Sequence, residues 1–306
     1  MIRKIAIGTR GSRLAMIQAE SVAAKLRQIR PDIEIEIKKI STLGDRDRNT
    51  PLESWGEVGV FVKELETALI DRSIDLAVHS LKDMPADIPE ELFLAAVTER
   101  QDPRDVLVAG KKLDQLPAGA RIGTGSLRRN VQLRQKRPDL KVIPIRGNID
   151  TRLKKVANGE VDGVIMAAAA LLRLGWASRI TEYLPVPEFL PEAGQGALAV
   201  EARTSDLEIA GIAALLNNKE AWQATQAERV FIKTIGGGCI APVAALAVPE
   251  GGKMRLEGMV ADMETGETIR ARETGDPDDP DGLGKKLADK MIAMGALGYI
   301  EKARRR

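Results

Sequence analysis

An apolar strand that runs into a glycine turn and then opens a helix recurs through roughly the first two hundred residues of this chain. "IRKIAIGTRGS" leads into "SRLAMIQAESVAAKLRQI", where Leu14, Ile17, Val22, Leu26 and Ile29 fall at helical spacing. "ARIGTGSLRRNVQLRQKRP" and "LKVIPIRGNIDTRLKKVANGE" repeat the same grammar. Between them "DIEIEIKKI" alternates as a strand with one wet face, "VFVKELETALIDRSI" is amphipathic, and "DLAVHS" reads as a buried strand. A helix with one apolar stripe has to cover a sheet, so this succession predicts layered α/β architecture, in two units of similar design. The tail departs from it. "APVAALAVPEGGKMRLEGMVADMETGETIRARET" predicts three strands joined by hairpins, and "DGLGKKLADKMIAMGALGYIEKARRR" a closing helix, so a small α+β domain begins near residue 219. "TERQDPRDVLV" and "LPVPEFLPEAGQGALAVEAR" read as crossings between domains.

Composition narrows the partners. Only 3% of the 306 residues are aromatic, so the core must be aliphatic, and a net charge of +2 gives no global attraction to nucleic acid or membrane. "MIRKIAIGTRGS" lacks the apolar stretch of an export signal, and no apolar run is long enough to span a bilayer. One cysteine cannot form an internal disulfide, which fits the cytoplasm.

The turns carry the chemistry. "GTRGS", "HSLKDMP", "GTGSLRR" and "RGNIDTR" each follow an apolar strand, and around them cluster Arg10, Ser12, Ser80, Lys82, Thr124, Ser126, Arg128, Arg129, Arg146 and Arg152. Ligands bind at the carboxyl ends of parallel strands, where helix N-termini offer free N–H groups. Solvated helix starts are the plain alternative for any one turn. Cations at a helix N-terminus oppose the macrodipole, however, so their repetition favours a small polyanion held between two lobes. Scarce aromatics argue against nucleic acid, and "GTRGS" and "GTGS" lack full dinucleotide-binding spacing. Asp83, a lone carboxylate among these cations, suits stabilisation of a developing cation or proton transfer; a cap or salt bridge is the alternative. His79 ends an apolar strand and reads as structural. One His and one Cys cannot close a zinc site, so no metal is expected. Cys239 sits in "TIGGGCIAPV", a loop with almost no side chains around the thiol.

Read in order, "GTRGSRLAMIQAE", "GVFVKELETALI", "DLAVHSLKDMP", "ERQDPRDVLV", "IGTGSLRR", "RPDLKVIPIRGNIDTRL", "LPEAGQGALAVE" and "GGGCIAPV" resemble the motifs of the porphobilinogen deaminase (hydroxymethylbilane synthase) family. The resemblance implies a transferase of porphyrin, tetrapyrrole and heme biosynthesis. Such an enzyme joins four porphobilinogen molecules head to tail into hydroxymethylbilane, releasing ammonia, on a covalent dipyrromethane primer. It implies two lobes like type II periplasmic binding proteins plus the C-terminal α+β domain: 1–98 with 197–215, 102–192, and 219–306, with hinges at the crossings.

Residue by residue, the resemblance makes Cys239 the thioether anchor of the dipyrromethane and Asp83 the catalytic carboxylate. Ser80, Lys82, Thr124, Ser126, Arg128, Arg129 and Gly147 would hold the primer. Arg10, Ser12, Phe61, Arg146, Arg152 and Gln195 would serve the incoming ring. A monomer is expected, handing its product to uroporphyrinogen-III synthase. The chain departs from the family pattern at Val58, where "GEVGVF" replaces "GGKGLF", and at Gly125, where "TGS" replaces "TSS". It departs again at "GGGC" and "APV", in place of "EGGC" and "VPI". Two other readings stand beside this one: a non-catalytic two-lobed binding protein for a carboxylated small molecule, and a cysteine-nucleophile transferase, which would have only His79 as base.

Overall fold

The computed structural model describes residues 4–43, 62–236 and 241–305. The chain forms two compact units, Met1–Gln101 with Ala197–Trp222, and Asp102–Gly196 with Gln223–Arg306.

The first unit is built on β1 (Lys4–Arg10), β2 (Glu34–Ile40), β3 (Leu76–Ser80), β4 (Leu92–Val97) and β10 (Leu198–Arg203), in the order β2-β1-β3-β10-β4. β1 runs parallel to β2 and β3, and β10 runs antiparallel to β3 and β4. Because the sheet is covered on both faces, its central strands are apolar throughout rather than alternating. Ile5, Ile7, Leu76, Val78 and Val200 pack on α1 (Arg13–Ile29) and α6 (Leu207–Ala214). Ala77 and Leu92 face Leu65 and Leu69 of α2 (Lys63–Ile70). Each such Leu, Ile or Val side chain, fully buried, contributes about 1.5–3 kcal/mol.

The second unit repeats the plan. β5 (Asp105–Ala109), β6 (Arg121–Gly123), β7 (Lys141–Ile143), β8 (Gly163–Ala167) and β9 (Glu182–Tyr183) lie in the order β7-β6-β8-β5-β9. β6 is parallel to β7 and β8, and β5 is antiparallel to β8 and β9. Leu107 and Ile165 join Leu133 of α3 (Leu127–Lys136) in one cluster. Their neighbours Val106 and Val164 join Leu153 of α4 (Ile149–Ala157) and Leu171 of α5 (Ala168–Arg173) in another. Successive strand residues thus feed opposite layers, as the pleat requires.

Both units therefore carry four strands in one direction and one against it. The reversed strand is the last of its sheet in sequence in the first unit (β10) and the first in the second (β5).

The C-terminal part begins with α7 (Lys219–Ile235), within which the division between the units falls. It continues as the antiparallel meander β11 (Val243–Glu250), β12 (Lys253–Ala261) and β13 (Thr268–Gly275). Gly251 and Gly252, with φ of +57° and +76°, close the first hairpin in the geometry that two-residue turns need. Leu256 packs with Phe231 of α7, with Leu287 and Met291 of α8 (Pro280–Ala293), and with Ile300 of α9 (Ala296–Arg304). The closing segment, expected as one helix, is thus two. Gly295 takes the left-handed conformation at φ +97°, which ends α8 and starts α9 at a new angle. No described helix is long and apolar enough to cross a membrane.

Candidate active site

In the first unit, β1 and β3 are parallel neighbours, so their carboxyl ends emerge side by side. Arg10 closes β1 half-buried, and the Ser12 hydroxyl caps α1 by accepting the Ala15 N–H at 3.2 Å. Ser80 closes β3, where its hydroxyl accepts from the buried Gln18 amide at 2.9 Å.

A single 3-10 turn, Leu81–Asp83, follows. Leu81 is buried and donates its N–H to the Ala197 carbonyl at 3.0 Å, and the Met84 N–H returns to Leu81 at 3.1 Å. These anchors leave Lys82 half-buried and Asp83 exposed. No described residue donates a hydrogen bond to the Asp83 carboxylate or forms an ion pair with it. The turn is fixed, and the group it delivers is unspent. Behind it, His79 is buried with its Nε2 3.1 Å from Glu201, as a structural histidine should be.

In the second unit the carboxyl ends of β6, β7 and β8 form the corresponding edge. Buried Thr124 accepts the Ser126 N–H at 3.2 Å, and the Ser126 hydroxyl caps α3. A Cβ on Gly125 would lie 2.8 Å from the Ile145 carbonyl oxygen, so the β6 and β7 turns approach too closely for a side chain there. Gly147 sits at φ +100°, followed by Asn148, whose side chain caps α4. Arg146 is half-buried, and Arg152 donates from Nε to the Gly147 carbonyl at 2.9 Å.

Arg128 and Arg129 are interior, 3% and 5% exposed. Both bind Asp105, itself fully buried: Arg128 Nη1 at 2.7 Å, Arg129 Nη2 at 2.8 Å and Nε at 3.1 Å. Gln195, also fully buried, donates to Asp105 at 2.8 Å and to the Pro103 carbonyl at 2.7 Å, and accepts from Arg129 at 3.3 Å. Burial works against ionisation of Asp105, but the two guanidiniums outweigh it and hold its carboxyl far below the usual range. Arg128 Nε is buried without a partner among the described residues. Arg173 ends α5, the helix that follows β8, and donates to the Gly196 carbonyl, next in sequence to Gln195, at 2.6 Å; burial pushes its pKa down to about 10.

Sequence reasoning missed Asp105 and Arg173. In the sequence "DPRD" reads as part of a crossing, yet the first residue of a reversed strand lies where its parallel neighbours end: Asp105 pairs with Ala167, the last residue of β8. Arg173 closes an alanine-rich helix that carries no turn signal. Phe61, Cys239 and Val58 lie outside the described residues.

The donor set of the second edge exceeds its buried acceptors: two guanidiniums share one carboxylate, a guanidinium nitrogen is orphaned, and Arg173 is desolvated without a carboxylate partner among the described residues. A group bearing several carboxylates fits such a set.

Residues 5–211 match the family model described as porphobilinogen deaminase, dipyromethane cofactor binding domain, and residues 222–293 match that of the porphobilinogen deaminase C-terminal domain. The chain belongs to the porphobilinogen deaminase family. It is 46% identical to the porphobilinogen deaminase of Syntrophus aciditrophicus over 96% of this chain and 97% of that one. It is also 46% identical to that of Chromobacterium violaceum, over 97% of each. Among solved structures, the methionine binding protein MetQ matches 72% of this chain and 90% of its own at 14% identity, with a TM-score of 0.45. As in the family, the dipyrromethane is the prosthetic group, and the cation-rich edge of the second unit suits its carboxylates.

Proposed function

We propose that this chain catalyses the stepwise condensation of four porphobilinogen molecules into hydroxymethylbilane, releasing ammonia, on a dipyrromethane held by Cys239. When bound, the dipyrromethane would supply the free pyrrole α-carbon for the first new bond, and the ring added last would supply it for each later one. That carbon would lose its proton each time, and water would release the finished chain as hydroxymethylbilane. Loss of ammonia from the aminomethyl group of porphobilinogen leaves a cation delocalised onto the ring nitrogen. Asp83 stabilises that charge and takes the pyrrole N–H as a hydrogen-bond donor. Its exposure and its freedom from any partner in the described residues support this role, because a carboxylate already spent on an arginine could not respond to a developing cation. This is the observation that carries the reading.

The other residues bind and orient. Lys82, Ser80, Thr124, Ser126 and the backbone at Gly147 receive the primer's acetates and propionates, with Arg128 and Arg129 supplying positive charge from the interior. Arg10, Ser12, Arg146 and Arg152 serve the acids of the incoming ring, with Phe61 packing on it, and Gln195 acts through Arg129. Arg173 joins the set as a desolvated cation without a carboxylate partner among the described residues. We assign the lobes to 1–98 with 197–215 and to 102–192, and the Cys239-bearing domain to 219–306. The enzyme acts as a cytoplasmic monomer and passes its product to uroporphyrinogen-III synthase.

Intact-mass measurement tests the reading. The purified chain supplied with porphobilinogen is expected to carry the mass of a dipyrromethane and to form hydroxymethylbilane, while Cys239→Ser has the bare mass and no turnover. A bare, inactive wild-type chain that still binds porphobilinogen would point instead to the non-catalytic binding protein.

A further inference from the structure

Asp105 spends every side-chain hydrogen bond its carboxylate makes among the described residues on groups that the proposed chemistry uses. Oδ2 takes Arg128 Nη1 at 2.7 Å; Oδ1 takes Arg129 Nε and Nη2 at 3.1 and 2.8 Å, Gln195 Nε2 at 2.8 Å and, more loosely, Arg128 Nη2 at 3.4 Å. The remaining partners of the two guanidiniums are neutral: the carbonyls of Leu190 at 2.8 Å and Ile165 at 3.3 Å, and the Gln195 amide oxygen at 3.3 Å. The half-buried Glu192 also acts electrostatically on Arg128.

Arg128 and Arg129 occupy the first turn of α3, where cations oppose the helix dipole, and both are interior. Two buried guanidiniums side by side are sustainable only with a carboxylate that fixes and partly neutralises them. Asp105 does so from another element, the first residue of β5, and ties in Gln195 from the segment before β10. The result is one cross-linked unit with excess positive charge adjoining the Thr124–Ser126 turn.

We propose that Asp105 is a positioning residue for primer loading: it holds Arg128, Arg129 and Gln195 in one fixed arrangement whose excess positive charge receives a carboxylate of the dipyrromethane. The inference rests on the reading above. It makes a prediction opposite to that of simple charge attraction. Removing a negative charge from an anion site should strengthen anion binding if only charge mattered, and should weaken loading if the carboxylate sets geometry.

The test is Asp105→Asn, purified without primer, exposed to porphobilinogen and followed by intact mass against time, with a denaturation curve on the same sample to count folded molecules. Per folded molecule, the rate of mass gain is expected to fall at least tenfold. A rate within twofold of wild type, or a faster one, overturns the role of Asp105. Should Asp105→Asn fail to fold, Asp105→Glu carries the test. It keeps the charge but displaces both guanidiniums by a methylene, and loading at least fivefold slower is expected; unchanged loading in folded Asp105→Glu overturns the proposal. A wild-type chain that never gains mass overturns the primer reading itself, which separates that failure from this one.

Discussion

The two α/β lobes share a strand plan but not an electrostatic one. In the first, the interior behind β3 is acidic: Glu201 and Glu66 are buried near a single His79, and each carboxylate leaves an oxygen without a partner among the described residues. In the second, the interior at the start of β5 is basic, two arginines against Asp105. The difference extends to how carboxylates are used. Asp83 is exposed and unspent, whereas Asp105 is buried and bonded on both oxygens. One topology thus carries two kinds of acid, a group left free to meet a cation and a group consumed in holding cations still. A fold of this kind fixes where an edge residue sits; burial and partners fix what it can do.

The largest effect should follow from the first lobe's free acid. Asp83→Asn keeps the turn intact, since Leu81 and Met84 anchor it, so the unfolding midpoint should stay within about a degree of wild type while turnover of porphobilinogen falls roughly 10²–10³-fold. Steady-state rates and a thermal melt on one preparation check it. If Asp83→Asn instead destabilises the fold and leaves turnover per folded molecule intact, the contrast between free and consumed carboxylates breaks.

Much of this contrast was legible in the sequence, and the missing part was missing for a physical reason. The strand–turn–helix grammar exposes apolar periodicity and turn residues, so the sheets and the turns could be read from it, whereas the capping bonds of Ser12 and Ser126 came only with the structure. The cations of the turns could be read as well. Their burial could not, because Arg128 and Arg129 look like a solvated helix start until β5 delivers Asp105 from twenty-odd residues earlier. Pairings across strands depend on register, which local pattern does not encode. Gln195 shows the same limit: expected at the substrate, it lies fully buried with its amide engaged by Pro103, Asp105 and Arg129. The break at Gly295 is a smaller case, in which one left-handed residue divides a stretch whose apolar spacing runs on.

A second substitution sharpens the basic side. Arg173 has its pKa lowered to about 10 by burial, so folding carries a penalty at neutral pH that is relieved only as pH rises through about 10 towards the ordinary value of 12.5. A cation held at such a cost fits a ligand that repays it. Arg173→Met is therefore expected to match or exceed wild-type stability, by up to roughly 1 kcal/mol after loss of the bond to Gly196, while kcat/KM for porphobilinogen drops about tenfold. A stable variant with unaltered kcat/KM would remove Arg173 from the site and make the second lobe's excess charge smaller than drawn.

The acidic interior of the first lobe yields the smallest effect, and it concerns stability alone. Burial, and then the charge of Glu201, raise the pKa of Glu66, while His79 and Lys63 oppose the shift. Above pH 4.5 the unfolded chain releases a proton that the folded one retains, so this residue makes wild-type stability fall as pH climbs from 4.5 through the raised folded value. Glu66→Gln cannot ionise and adds N–H donors near Glu201, whose Oε1 is buried without a partner. The variant should therefore gain on the order of 1 kcal/mol at neutral pH and lose that part of the pH dependence, with turnover unchanged. Denaturant titrations of both proteins at pH 4 and 7.5 decide it. Equal differences at the two pH values would mean that folding does not raise the Glu66 pKa, and the acidic interior of the first lobe would then cost that carboxylate nothing. Burial and the neighbouring charge of Glu201 disfavour a second charge there, which is why the folded chain holds the Glu66 proton to higher pH than the unfolded one.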